Sequence, residues 1–70
     1  MKVIYKYTNE EYTVLMDDSL TSYYLILKVN NTVVNDIKFE DYQEAKQAFI
    51  HACKQCDNYI YNRKMHKLNY

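Results

Sequence analysis

The sequence predicts an α+β fold: a three- to four-stranded antiparallel β-meander with one long C-terminal amphipathic helix packed on one face. Three observations predict it. Apolar and polar residues alternate in short runs from Lys2 to Phe39, the period of strands. The dipeptide Asn30-Asn31 separates the last two runs, in a chain with no glycine and no proline. Tight hairpins need residues that accept positive φ, and without glycine only Asn and Asp accept it cheaply. Beyond Asp41 the apolar spacing changes to three and four, the period of a helix.

The first strand is predicted over residues 2–7, with Val3, Tyr5 and Tyr7 on one side and Lys2 and Lys6 on the other. Thr8-Asn9-Glu10 forms the turn to a second strand over residues 11–16, where Tyr12, Val14 and Met16 share a side. Asp17-Asp18-Ser19 reads as a loop, since short polar side chains bond their own backbone there. The third strand, residues 22–29, places Tyr23, Leu25, Leu27 and Val29 on one face and Tyr24, Ile26 and Lys28 on the other. The fourth spans residues 33–39. A three-residue loop from Asn30 to Thr32, with a bulge near Asn31, pairs Val29 with Val33, Leu25 with Ile37 and Tyr23 with Phe39. This register keeps apolar residues on one face and turns Asn35 inward.

Asp41 is a good helix N-cap, and Glu44 completes a capping box. Tyr42, Ala45, Phe49, Ala52, Cys53, Cys56 and Ile60 form the apolar stripe of a helix over residues 42–61. The stripe is expected to cover Leu25, Leu27, Ile37 and Phe39, leaving Tyr24 and Ile26 on the open face. Asp57-Asn58 is a candidate break, because Asn often takes the left-handed cap. Residues 62–70 read as a basic, frayed tail.

The length implies a single domain spanning residues 1–70. No stretch approaches the ~20 apolar residues of a membrane helix, and the first residues lack the apolar core of a signal peptide. The expected location is the cytoplasm of a host bacterium, with both cysteines reduced. Abundant Asn, Lys, Ile and Tyr with scarce Gly, Pro, Ala and Arg match A/T-rich codons, hence a low-G+C bacterium or its phage. Net charge is zero but uneven. Residues 1–44 hold eight acids against four lysines (−4), and residues 45–70 hold Asp57 against five bases (+4). That asymmetry reads either as an acidic face with a basic tail or as charges placed along the helix dipole.

The absence of glycine excludes phosphate-cradling loops. Cys53-Lys54-Gln55-Cys56 is a C-x-x-C, but it lies deep in the helix rather than at its N-terminus, so two buried small residues are expected instead of a redox pair. A zinc site needs four convergent ligands, and His51 projects away from the cysteine stripe; no metal and no cofactor are expected. No serine or cysteine is placed beside a histidine, and adjacent acids such as Asp17-Asp18 diverge, so the chain is not expected to be an enzyme. The surplus is tyrosine, nine in all, a residue enriched in binding hot spots as well as in strands. A basic segment of Arg63, Lys64, His66 and Lys67 offers an alternative nucleic-acid contact. A homodimer paired through an exposed strand edge is a third possibility.

Glu11-Tyr12-Thr13-Val14 and Tyr24-Leu25-Ile26-Leu27-Lys28-Val29-Asn30-Asn31 together resemble the strand pair of the small Cas9-blocking anti-CRISPR proteins of Listeria prophages, which also follow hairpins with helices, here around Phe49-Ile50-His51-Ala52. The likeness covers about the middle half of the chain. In that family an acidic surface mimics DNA where Cas9 reads its PAM, carboxylates taking the arginines meant for guanine and phosphate. The resemblance implies a phage-encoded, non-enzymatic inhibitor of a host defence nuclease. Its contacts would be Glu11, Tyr12, Asn30, Asn31 and Asp36, with Tyr24 added from the open sheet face. The chain departs from the family in opening with a strand, in being neutral, and in lacking glycine after the asparagines. Those departures shift the expected mechanism from DNA mimicry toward an exposed tyrosine face wedged against a nuclease domain.

Overall fold

A computed structural model describes residues 2–68, with side chains over residues 2–66. Four antiparallel strands, β1 (Lys2–Asn9), β2 (Tyr12–Asp18), β3 (Tyr23–Val29) and β4 (Thr32–Phe39), lie in the order β1-β2-β3-β4. The helix α1 (Tyr42–Leu68) returns across one face. The meander, its strand order and the single helix are those the sequence predicts.

The β3–β4 hairpin holds the predicted pairs Leu25–Ile37 and Tyr23–Phe39, but reaches them differently. Its loop has two residues: Asn30 and Asn31 both adopt positive φ (52° and 68°), as the favoured two-residue hairpin turn demands. Val29 therefore pairs with Thr32 and Lys28 with Val33. A bulge at Val34 then supplies the one-residue shift that returns Asn35, Ile37 and Phe39 to the apolar face. The correction lies in where the extra residue sits.

A second irregularity falls at Ile4. It places Val3 opposite Asp17, away from Tyr5 and Tyr7, so the predicted Val3-Tyr5-Tyr7 face is broken. Asp17 and Asp18 extend β2 instead of forming the loop, paired with Tyr24 and Tyr23. The β1–β2 turn is Glu10-Glu11, and Glu10 takes positive φ (54°), a conformation the sequence reading reserves for Asn and Asp.

Asp41 caps α1: its carboxylate accepts the Glu44 N–H at 3.0 Å, and its carbonyl accepts the Ala45 N–H. Ala45, Cys56 and Ile60 are buried and Tyr42, Phe49, Ala52 and Cys53 half-buried, the predicted stripe. The core is formed by Val14, Met16 and Leu25 from the sheet with those helix residues. The helix does not break at Asp57-Asn58 and does not end near Tyr61; it is continuous to Leu68, and residues 69 and 70 of the predicted tail lie outside the described residues. At about 40 Å it outruns the ~26 Å strands, which accounts for a molecule 50 Å long and 22 Å by 15 Å across.

Candidate interaction surface

Polar contacts fasten α1 along β1 and the β1–β2 turn. The hydroxyls of Tyr5 and Tyr42 are hydrogen-bonded. Asp57 Oδ1 accepts from the Tyr7 hydroxyl at 2.6 Å and from Asn9 Nδ2 at 2.8 Å. Those two donors hold the Asp57 carboxyl below its ordinary range, and the same bond pushes the Tyr7 phenol up. Arg63 then forks onto Glu11, with Nη1–Oε2 at 2.6 Å and Nη2–Oε1 at 2.9 Å. This pair lowers the Glu11 carboxyl from 4.5 to about 2, chiefly through the hydrogen bonds. Lys64 Nζ lies 3.5 Å from Glu10. Arg63 and Lys64 near the helix end thus meet Glu11 and Glu10 of the first turn, joining part of the basic half to part of the acidic half.

The tyrosines line the same seam. Tyr12 stacks on Tyr59 at 6.3 Å, Tyr23 meets Tyr42 edge-on at 5.5 Å, and Tyr5 packs on Phe49 at 5.5 Å. The excess of tyrosine therefore chiefly joins helix to sheet.

The predicted contact residues divide between two places. Glu11, Tyr12, Asn30 and Asn31 gather at one end of the sheet, where the Asn30 N–H donates to the Glu11 carbonyl at 2.9 Å. There Glu11 is occupied by Arg63 and Tyr12 is half-buried against Tyr59, while both asparagines are exposed. Tyr24 and Asp36 lie instead on the helix-free face, with Lys38 between them in register.

That helix-free face carries the half-buried Leu15, Tyr24 and Ile26, and Val3 at its margin is exposed. Asp17, between Val3 and Tyr24, is nine-tenths buried, and its Oδ1 has no hydrogen-bond partner among the described residues. A buried carboxylate oxygen without a donor is costly. Nothing in the sequence marks it, because Asp17 reads there as a loop residue.

The helix leaves β4 uncovered as far as Lys38, while Phe39 packs against the core. Every residue from Thr32 to Lys38 is exposed; Ile37, expected beneath the helix, keeps 42% of its surface in water. A groove of about 190 Å³ runs between α1 and β4, floored by Leu25, Leu27 and Ile37 and walled by Ala48 and Ala52, with exposed His51 at its rim. The hydrogen bonds and ion pairs described above tie the helix to β1 and the first turn.

Of the alternative basic set, Arg63 and Lys64 are engaged by Glu11 and Glu10, His66 is exposed, and the Lys67 side chain lies outside the described residues. Cys56 is buried and Cys53 half-buried, both free; burial pushes the Cys53 thiol up to about 11, away from the reactive thiolate. Among the described residues no group of three or more His, Cys, Asp or Glu side chains is placed to hold a metal ion, and no helix is long and apolar enough to cross a membrane. The chain matches no protein-family model, no curated protein and no solved structure.

Proposed function

We propose that this chain is a small non-enzymatic protein-binding module that presents the helix-free sheet face to a folded protein. The observation carrying this reading is the uncovered apolar patch of Leu15, Tyr24 and Ile26, bordered by the unpartnered carboxylate of Asp17. Tyr24 supplies the rigid amphipathic anchor typical of hot spots. A partner donor reaching Asp17 would supply the missing hydrogen bond.

The resemblance narrows the partner to a host defence nuclease, with Cas9 as the favoured target and a phage or other mobile element as the source. Within that narrower reading, carboxylate mimicry of DNA is disfavoured, since both oxygens of Glu11 already face Arg63. Nucleic-acid binding by the basic segment is disfavoured by the same pairings, which leave Arg63 and Lys64 little charge for phosphate.

The test is capture of a stoichiometric partner from a low-G+C bacterial lysate, alongside Cas9 cleavage of a matched DNA target with the protein in excess. Tyr24→Ala should weaken the captured complex roughly tenfold or more. Asp17→Val should stabilise the free protein by about 1–3 kcal/mol while weakening that complex. Undiminished cleavage would remove Cas9 as the target. Capture unaffected by either substitution would remove this face as the site.

A further inference from the structure

The two edges of the sheet differ in charge. β1 carries only Lys2 and Lys6 as charged side chains, and lysines along an edge resist pairing with another strand. β4 carries one charge of each sign, Asp36 and Lys38, on the helix-free face on either side of Ile37. The run from Asn35 to Phe39 pairs regularly with β3, because the bulge at Val34 lies outside it; the Asp36 N–H donates to the Asn35 side-chain oxygen at 2.9 Å, a local bond that a neighbouring strand would replace.

We infer that β4 pairs antiparallel with β4 of a second copy of this chain, about a twofold axis at Ile37. In this register Ile37 faces the partner's Ile37 on the helix side. On the opposite side Asp36 faces the partner's Lys38, and Lys38 the partner's Asp36. Cross-strand pairs of opposite charge stabilise a sheet and like pairs destabilise it. A shift of two residues in one direction sets Asp36 against Asp36; in the other it sets Lys38 against Lys38. A shift of one residue inverts the faces. Among these registers, charge and face together select the one centred on Ile37.

The apolar groove beside β4 gives that association its hydrophobic part. With the two copies joined, their grooves meet over the paired isoleucines, and Ile37 leaves water. The product is an eight-stranded sheet with both helices on one face. This inference stands independently of the proposed function: it uses the β4 edge, and the helix-free face remains open on both copies.

Sedimentation of the full chain across a concentration series tests it, with the circular dichroism of each variant as the control for folding. The wild type should be a dimer. Asp36→Lys and Lys38→Asp each turn two attractive pairs into two repulsive ones, and each should weaken dimerisation on the order of tenfold or more. Mixing those two variants should restore a dimer, because an edge bearing two lysines then faces an edge bearing two aspartates. The double exchange within one chain should also dimerise. A wild type that stays monomeric at its highest soluble concentration overturns the inference. So does a dimer indifferent to the reversals, or a mixture that fails to associate.

Discussion

The β1 side and the β4 side of this small sheet are built from the same kind of alternating strand, yet only one is closed. On the β1 side, Tyr5, Tyr7, Asn9, Glu10 and Glu11 each reach a partner on α1, and Met16 beneath them is fully buried. On the β4 side the strand keeps Thr32 to Lys38 in water. One helix cannot cover four strands, since neighbouring strands are ~4.8 Å apart and a helix is ~10 Å wide. Its apolar stripe packs on the Val14 and Leu25 core, and its directional polar pairs lie toward β1 and the first turn. The chain thus separates a side fastened to the helix from a side left largely in water.

The largest effect should come from emptying the closed side. Met16 is wholly buried, and Met16→Ala should cost about 2–5 kcal/mol, enough to unfold much of a domain this size. On the open side, Ile37→Ala should cost about 1 kcal/mol or less in the dilute monomer, where its side chain is already wet. Urea unfolding of the two variants at low concentration makes the comparison. Equal losses would mean that β4 is covered as firmly as β2.

Much of the fold is legible in the sequence, and the part that is not, the division between the two sides included, has a physical cause. Alternation located all four strands, and the requirement for positive φ located the Asn30-Asn31 turn. Alternation cannot place a bulge, because Val34 and Ile4 are apolar residues that suit either face. The helix end is hidden from the sequence for another reason. Asn58 has the local propensity of a cap, but α1 is held by Asp57 and Arg63 bonding residues about fifty positions earlier, a distance no local period reports. The Arg63–Glu11 and Lys64–Glu10 pairs account for part of the uneven charge, visible in the sequence but not its destination. Of the contact set, Tyr24 lies on the open face the alternation gives it, while the orphaned Asp17 can be found only once β2 is seen to extend through it.

Acid should loosen the closed side selectively. The folded pKa of Glu11 lies below its ordinary value, at about 2 instead of 4.5, and that of Asp57 is lowered in the same direction. For carboxyls so depressed, the stabilisation is complete above the ordinary pKa. It is lost as the pH falls from 4.5 through about 2. Because Glu11 is near the surface, salt should blunt the effect. Thermal unfolding followed from pH 6 downward should show the loss in the wild type and a shallower one in Glu11→Gln. Parallel curves would mean that the Arg63 fork contributes nothing to closing that side.

The smallest effect separates the two turns that meet at the end of the sheet. Asn30, Asn31 and Glu10 all hold positive φ, but only asparagine has a short side chain that eases it. Glu10 carries that backbone strain for an exposed ion pair with Lys64, and such pairs contribute little. Glu10→Asn should therefore stabilise the domain by about 0.5–1 kcal/mol, the relief of strain outweighing the lost pair. Lys64→Gln removes the pair alone and should change stability by less than about 0.5 kcal/mol. The converse change, Asn30→Glu, should cost about 1 kcal/mol, since it places at the second turn the strain the first already bears. Chemical denaturation resolves these differences. If Glu10→Asn proves destabilising while Lys64→Gln is neutral, the strain at the first turn is not what limits it, and the two turns are alike in conformation but not in energy.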